Sequence, residues 1–401
     1  MTVSSVNDVY YDPYDVGINA DPYPVFRRLR EEAPLYYNEP HDFYAVSRYD
    51  DVARGLGDPA TFISSRGGIL ELIKANIEMP PGVLIFEDPP IHTTHRRLLS
   101  RVFTPRRVAA LEPQIREFCA RSLDPLMGAD GFDLIAELGA QMPMRVISML
   151  LGIPEPDQEA VRDRVDAKLR TKPGTPMKVS ADFANGEMFA EYIAWRADHP
   201  SDDLMTDLLN AEFEDETGTV RRLTRDEILT YVFVVAGAGN ETTTRLIGWA
   251  GKVLAEHPDQ RRELADDPSL VPNAIEELLR YEPPAPHVGR YVAHDVESHG
   301  RTVPAGSAIL LLVGSANRDD RRFPDGDGFD IHRHIGQHLT FGYGIHFCLG
   351  AALARLEGRV ALEELLTRFP QWDVDYDNAK LSPTSTVRGW ETLPLVTKGK
   401  P

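Results

Sequence analysis

The sequence predicts a mainly α-helical fold with small β-sheets, an α+β arrangement in which helices make up most of the chain. Apolar residues recur at helical spacing through most of the segment from about Pro105 to Phe369. Short runs of strand composition, bounded by turn residues, cover residues 43–46, 289–292 and 308–312. No repeat, low-complexity tract or long Gly/Ser linker interrupts the 401 residues, so we expect one domain over residues 1–401.

Composition and charge exclude several classes of protein. Acidic residues outnumber basic ones by 62 to 43, and the net charge of −19 disfavours nucleic acids and anionic membrane surfaces as partners. Met1 to Tyr14 carries acids and tyrosines where a signal peptide needs a basic region and an apolar core. No apolar run approaches the roughly 20 residues that span a bilayer. We therefore expect a cytoplasmic monomer with no membrane insertion.

One long helix is marked at both ends. Thr224 to Glu227 forms a capping box, and the helical pattern continues to His257, directly before Pro258. These roughly 32 residues would extend about 48 Å. In the middle, residues 236–243 (Ala-Gly-Ala-Gly-Asn-Glu-Thr-Thr) contain two glycines that each cost up to about 1 kcal/mol relative to alanine. Either they serve helix packing, or they admit a flat ligand and dioxygen while a threonine and an acid relay protons.

The two cysteines have different surroundings. Cys119 lies on an apolar helical stripe, which indicates core packing. Cys348 lies between a glycine-rich turn and a predicted helix from Leu349 to about Phe369, where backbone N–H groups and the positive helix end favour a thiolate. A thiolate there can ligate iron; the alternative is a small buried core residue.

The run Phe-Gly-Tyr-Gly-Ile-His-Phe-Cys-Leu-Gly at residues 341–350 resembles, position for position, the heme-binding loop of the cytochrome P-450 family. The resemblance extends from about Tyr10 to Leu395. It implies the family's triangular α-rich prism, with heme b between the long central helix and the helix after the cysteine loop. It also implies that Cys348 is the axial iron ligand. The other loop residues implied to bind the cofactor are Phe341, Gly342, His346 and Gly350.

Two further segments resemble elements of the same family. The centre of the long helix resembles the oxygen-activation motif, which implies catalytic roles for Gly239, Glu241 and Thr242. Glu241 occupies a place more often held by aspartate. Glu277 and Arg280 resemble the E-x-x-R element, whose implied role is structural support of the heme core, with Arg333 as the candidate third partner.

The heme propionates require cationic partners because buried carboxylates are costly without them. The segment at 88–97 resembles the family's H-T-x-x-R element and places His92 and Arg96 one helical turn apart. Arg290 and His346 occupy the other family positions for this task.

The resemblance implies a heme-thiolate monooxygenase that inserts one oxygen atom from O2 into an apolar small molecule by hydroxylation or epoxidation. Electrons would come from NAD(P)H through a separate acidic ferredoxin and its reductase. Alternatives are a diverted oxidation, such as desaturation or coupling, and a heme carrier or gas sensor. The substrate walls are expected within residues 67–85, 170–188, 234–238, 285–289 and 385–387. Their named members are Val234, Val235, Ala238, His287, Val288 and Val387, with His287 as the candidate polar anchor.

Two local features complete the sequence picture. Asp320 stands where proline is common in the family, and residues 325–328 form an unusual acidic turn. Residues 91–111 and 331–356 contain no acidic residue, although this composition would place about three or four in each, and the first stretch includes Arg97 and Arg101. We expect these basic stretches to guide an acidic ferredoxin.

Overall fold

A computed structural model describes residues 9–77, 79, 82–101, 103–179, 186–215 and 217–397. The α-helices are α1 (Val16–Ala20), α2 (Tyr23–Glu32), α3 (Tyr49–Gly57), α4 (Leu70–Ala75), α5 (Ile91–Ser100), α6 (Pro105–Ala109), α7 (Glu112–Leu123), α8 (Met142–Leu151), α9 (Gln158–Leu169), α10 (Ala190–Asp198), α11 (Leu204–Asn210), α12 (Arg225–Glu256), α13 (Pro258–Asp266), α14 (Val271–Tyr281), α15 (Val313–Ala316) and α16 (Ala351–Arg368). Shorter helical turns lie at Leu84–Phe86, Asp124–Leu126, Ile135–Gly139, Glu155–Asp157, Glu187–Phe189, Pro268–Leu270 and Gly344–His346.

The strands are short, as the sequence predicts. They are β1 (Leu35–Asn38), β2 (Phe43–Val46), β3 (Phe62–Ile63), β4 (Gly131–Asp133), β5 (Glu212–Glu214), β6 (Val220–Arg222), β7 (Val288–Val292), β8 (Val296–Ser298), β9 (Arg301–Val303), β10 (Ala308–Leu311), β11 (Trp372–Val374), β12 (Lys380–Leu381), β13 (Trp390–Thr392) and β14 (Pro394–Thr397). The largest sheet has the order β1-β2-β10-β7-β3, with β10 parallel to β2 and the other pairs antiparallel. The predicted mainly helical fold with small sheets is confirmed.

The long central helix α12 begins and ends where the sequence signals place it. The Thr224 hydroxyl accepts a hydrogen bond from the Glu227 N–H (3.2 Å), and the Glu227 carboxylate accepts one from the Thr224 N–H (2.7 Å). Both bonds satisfy N–H groups that the first helical turn leaves without partners. Pro258 ends the helix and starts α13. The helix is 32 residues long.

Helices α12 and α16 pack closely against each other, and this contact positions the candidate site. A Cβ added to Gly358 of α16 would lie 2.8 Å from a methyl carbon of Leu246 of α12, so only glycine fits there without movement. The surrounding apolar core joins α7, α12, α14 and α16. A second core packs α8, α9 and α11 against the first half of α12. Among the described helices, none combines the length and the apolar composition that a bilayer-spanning helix requires.

Candidate active site

The cysteine loop is a tight turn that leads into α16. Gly342 and Gly344 have φ angles of 73° and 72°, in the left-handed region that favours glycine. The Cys348 N–H donates to the Phe341 carbonyl (2.7 Å), which closes the loop. The helix then begins at Ala351, two residues later than predicted, with Gly350 as its N-cap. The backbone therefore fixes the position of the Cys348 sulfur.

The surroundings of Cys348 determine the pKa of its thiol. The residue is exposed, yet burial among protein atoms raises the pKa of its thiol. A Cβ added to Gly350 would meet no atom within 4 Å, so open space adjoins the end of this turn. The Gly350 N–H and the charges of Arg96 and Arg355 oppose the rise in pKa, but burial is the largest contribution. The predicted contacts that favour a thiolate exist, but they do not outweigh burial. A bound metal cation would lower the pKa of the thiol further and so stabilise the thiolate.

The middle of α12 presents a second exposed surface within the fold. Ala238 is exposed and Thr242 is half-buried, whereas residues 243–250 of the same helix are buried. The Thr242 hydroxyl donates to the Ala238 carbonyl (2.9 Å), one turn earlier. This bond leaves the hydroxyl oxygen available as an acceptor beside the exposed helix face.

The glycines of this stretch contact neighbouring helices. A Cβ on Gly239 would lie 2.8 Å from the Ile147 Cδ1 of α8, and a Cβ on Gly237 would lie 3.4 Å from the Val165 Cγ1 of α9. Close helix packing, one of the two interpretations open from the sequence, therefore accounts for the missing side chain at Gly239. This contact does not support the catalytic role that the sequence predicts for Gly239.

Glu241 is buried and takes part in an ion pair on its own helix. Its carboxylate lies 2.9 Å from the Arg245 guanidinium, and the two side chains are 5% and 9% exposed. Arg245 also donates to the Ser382 hydroxyl (2.8 Å) and to the Trp390 carbonyl. Sequence reasoning did not single out Arg245, although its i+4 spacing from Glu241 is the signal of an ion pair on one helix face.

Four basic side chains meet near Cys348 with few partners. His92 of α5 is buried, and neither of its ring nitrogens has a hydrogen-bond partner among the described residues; the same holds for the Nε2 of His346. The two rings have centroids 4.4 Å apart. Arg290 of β7 is 5% exposed, and its side chain donates to the Gly289 carbonyl (2.8 Å).

Burial disfavours the positive charge of each of these groups, and the two histidines are also disfavoured by their basic neighbours. Burial lowers the pKa of His346 to about 3, with further lowering by Arg290, His92 and Arg96. Burial also lowers the pKa of Arg290 to about 10 and that of Arg96, and it lowers the pKa of His92 with a contribution from Arg96. A basic cluster with two buried and two half-buried members fits an anionic ligand, and the two carboxylates of heme provide the charge and the acceptors that it lacks.

The predicted structural triad is assembled as the sequence suggests. Arg280 donates to both carboxylate oxygens of Glu277 (2.7 Å each), and Arg333 donates to one of them (3.1 Å). Glu277 and Arg280 have fully buried side chains.

The acidic turn at 325–328 provides carbonyl acceptors for the two arginines of this triad. Arg280 donates to the carbonyls of Gly326 and Gly328, and Arg333 donates to that of Gly328. Asp320 accepts from the Gly326 N–H (2.8 Å) and so holds the turn in place. The unusual Asp320 is therefore part of a consistent local arrangement.

The predicted substrate walls are only partly brought together. Val235 is buried, and Val234 and Val288 are half-buried. His287 and Val387 line a narrow cleft that they share with the N-terminal segment. The Tyr11 hydroxyl lies 3.4 Å from the His287 ring, and burial lowers the pKa of His287 to about 4, so this side chain is neutral and engaged by protein. Residues 78, 80, 81 and 180–185 of the predicted walls lie outside the described residues.

Sequence reasoning also missed Glu71 of α4, which joins two segments expected near the substrate. Its carboxylate accepts from the Met177 N–H (3.0 Å) and from the Ser385 hydroxyl (2.8 Å). No motif marks this residue, because all of its contacts are distant in sequence.

The arginines of the two basic stretches fall into two groups. Arg97 and Arg101 are exposed, and neither forms an ion pair with any described residue. Arg107, Arg333 and Arg355 are paired with acids from elsewhere in the chain: Asp207, Glu277 and Glu276 respectively.

Comparison with known proteins agrees with this geometry. A family model described as Cytochrome P450 matches residues 177–387. The cytochrome P450 123 sequence of Mycobacterium tuberculosis is 41% identical over 394 residues, covering 97% of both chains. The cytochrome P450 monooxygenase PikC of Streptomyces venezuelae is 37% identical over 385 residues, covering 94% of this chain and 91% of PikC. The solved structure of cytochrome P450 CYP109Q5 from Chondromyces apiculatus superimposes with a TM-score of 0.85 at 37% identity, covering 97% of this chain and 98% of that one. The chain belongs to the cytochrome P450 family, whose members bind heme b and catalyse heme-thiolate oxygenation.

Proposed function

We propose that the protein is a monooxygenase that inserts one oxygen atom into an apolar small molecule by hydroxylation or epoxidation. The observation that carries this proposal is the basic cluster near Cys348, in which His92 and Arg290 are buried, Arg96 and His346 are half-buried, and three ring nitrogens have no hydrogen-bond partner among the described residues. When bound, heme activates dioxygen for insertion into a substrate. Cys348 would ligate the iron, and His92, Arg96, Arg290 and His346 would hold the propionates.

Thr242 and Glu241 are proposed to manage protons. The Thr242 hydroxyl is fixed by its bond to the Ala238 carbonyl and borders the exposed face of α12. From there it can accept a hydrogen bond from water or ligand and hold a proton in place for transfer. Glu241 is the nearest acid in sequence, and its carboxylate can take up a proton from water and release it.

The substrate is proposed to contact an apolar surface. Val234, Ala238 and Val288 carry no polar side-chain atoms and are at least partly exposed, so they offer a substrate hydrophobic burial and no hydrogen bond. Val235 is packed into the core and is not proposed to contact the substrate. His287 and Val387 line the neighbouring cleft.

Electrons are proposed to come from NAD(P)H through a separate acidic ferredoxin. Arg97 and Arg101 are exposed on and directly after α5, the helix that also carries His92 and Arg96 of the propionate cluster. Positive side chains on a strongly negative protein steer an acidic partner to this region.

The axial ligand is tested by the spectrum of the reduced carbon-monoxide complex. The wild-type protein is expected to show the strongly red-shifted Soret band of a thiolate-ligated heme, and Cys348→His is expected to abolish it. A matched Cys119→Ser variant removes the other sulfur, which is buried in the core, and should keep the band. A red-shifted band that persists in Cys348→His would refute the proposed ligand.

A further inference from the structure

Arg245 connects the acid of the central helix to a loop at the other end of the sequence. Its guanidinium contacts the Glu241 carboxylate (2.9 Å) and the Ser382 hydroxyl (2.8 Å), and it also donates to the Trp390 carbonyl. Ser382 directly follows β12, and Trp390 is the first residue of β13; the connection between them, with Trp390 included, is called loop 382–390. Arg245 therefore bridges α12 and this loop.

The loop is shaped to hold the arginine. A Cβ added to Gly389 would lie 2.8 Å from the Arg245 Cβ and 2.9 Å from its Cγ, so the stem of the side chain passes against the bare backbone at this glycine. Arg245 is 7% exposed, which leaves the guanidinium no solvent-exposed alternative to these partners. The position of Arg245 is consequently set by the loop as well as by its own helix.

The same loop makes contacts with segments on its other side. The Ser385 hydroxyl donates to Glu71 of α4 (2.8 Å). The Pro383 carbonyl accepts from both the N–H (2.8 Å) and the hydroxyl (2.7 Å) of Thr171. Loop 382–390 thus lies between Arg245 and two segments expected to enclose the substrate.

We propose that Arg245 is a positioning residue for Glu241, which keeps the carboxylate ionised and fixes it at the junction of α12 and loop 382–390. This inference rests on the proposed function. The carboxylate takes up a proton from water, gives it to an acceptor beside Thr242, and returns to the ionised form that Arg245 pairs with. Proton supply through Glu241 then depends on the loop, because the loop determines where Arg245 lies.

The ionisation of Glu241 is tested directly by infrared difference spectra of the heme-loaded, substrate-free protein. Wild type minus Glu241→Gln should show the bands of an ionised carboxylate. Arg245→Gln minus the double variant Glu241→Gln/Arg245→Gln should show the carbonyl band of a protonated acid, because a buried carboxylate without its cation is disfavoured. An ionised carboxylate in both differences would overturn the proposal.

Turnover tests whether Arg245 acts through Glu241. With a probe substrate chosen by its low-spin to high-spin shift, Arg245→Gln is expected to lower product formed per NAD(P)H by about tenfold, since a misplaced group loses much of its effect. Arg245→Lys should restore most of it, and Ser382→Ala should give a smaller loss. Lys252→Gln is the matched control, because Lys252 pairs with Glu256 at the same spacing on the same helix and should have no effect.

The double variant separates the two proposals. If Arg245 acts through Glu241, the double variant should form no less product per NAD(P)H than Glu241→Gln alone. Additive losses of product per NAD(P)H in the double variant would refute the role of Arg245. The same conclusion would follow if Arg245→Gln formed as much product per NAD(P)H as wild type while Glu241→Gln formed less. If Glu241→Gln forms as much product per NAD(P)H as wild type, the proposed proton role of Glu241 is wrong, and the proposed role of Arg245 is wrong with it.

Discussion

Arg290→Met tests whether a heme propionate neutralises this guanidinium, and the structure gives the expected size of the effect. Arg290 is 5% exposed, and its burial lowers its pKa from 12.5 to about 10. Because each tenfold change in an acid dissociation constant corresponds to about 1.4 kcal/mol, holding this charge without a counter-charge costs on the order of 3 kcal/mol. A base with a lowered pKa carries this cost at every pH below the lowered value, so it is fully present at neutral pH and is relieved only as the pH rises through about 10.

A propionate that pairs with Arg290 recovers this free energy, and the variant loses it. We expect Arg290→Met to release heme to excess apomyoglobin about 100-fold faster than wild type, the rate ratio that corresponds to roughly 3 kcal/mol. Reconstitution with heme dimethyl ester, whose propionates carry no charge, should make the two proteins release their cofactor at similar rates.

The control for this experiment is another buried arginine. Arg30 is 2% exposed and donates to the Ser315 carbonyl (3.0 Å). Arg30→Met should lower the stability of the fold, and any change in its rate of cofactor release should be the same for heme and for the dimethyl ester. A 100-fold effect of Arg290→Met that is equally large with the ester would show that the arginine acts through packing and would refute the electrostatic reasoning.

Three further predictions concern protons, electrons and stability. Thr242→Ala should retain heme and substrate binding while electrons are diverted to peroxide, measured as product and peroxide per NAD(P)H; an unchanged product yield would contradict the role of the hydroxyl. Arg97→Glu with Arg101→Glu should slow ferredoxin-supported heme reduction and flatten its dependence on ionic strength in stopped-flow experiments, with substrate-induced spectral shifts preserved; an unchanged rate and salt dependence would remove these residues from the docking surface. Glu277→Gln should lower the free energy of unfolding by about 3–5 kcal/mol in urea titrations, because it leaves Arg280 buried without its counter-charge; a loss below about 1 kcal/mol, the value of an exposed pair, would contradict this.

Signals local in sequence predicted the fold well. The capping box at Thr224 and the proline at 258 set the limits of α12 to within a residue. Strand β2 was predicted at its observed limits, and β7 and β10 to within one residue. Caps, prolines and short apolar runs act through neighbouring residues, so a single sequence is sufficient to read them.

Features of the site that depend on tertiary packing could not be predicted from the sequence. What a Cβ at Gly239 would meet depends on where α8 lies, and its close approach to Ile147 favours helix packing over ligand access as the reason for the glycine. The rise in the Cys348 pKa depends on surrounding protein that the motif does not contain. Glu71 and Arg245 bind partners more than 100 residues away, Met177 and Ser382 respectively, and no spacing rule connects such positions. The single-domain prediction for residues 1–401 stays a prediction.

The contact of Gly358 with Leu246 has a consequence for how the site can change. A Cβ at residue 358 would lie 2.8 Å from the Leu246 methyl carbon, so α12 and α16 cannot approach each other more closely at this position. The Thr242 stretch lies within α12 and the cysteine loop leads into α16, so this core contact contributes to the distance between the two parts of the site. Gly358→Ala would move Leu246 or separate the two helices. A substitution in the core can therefore change the space at the site without altering any residue that borders it.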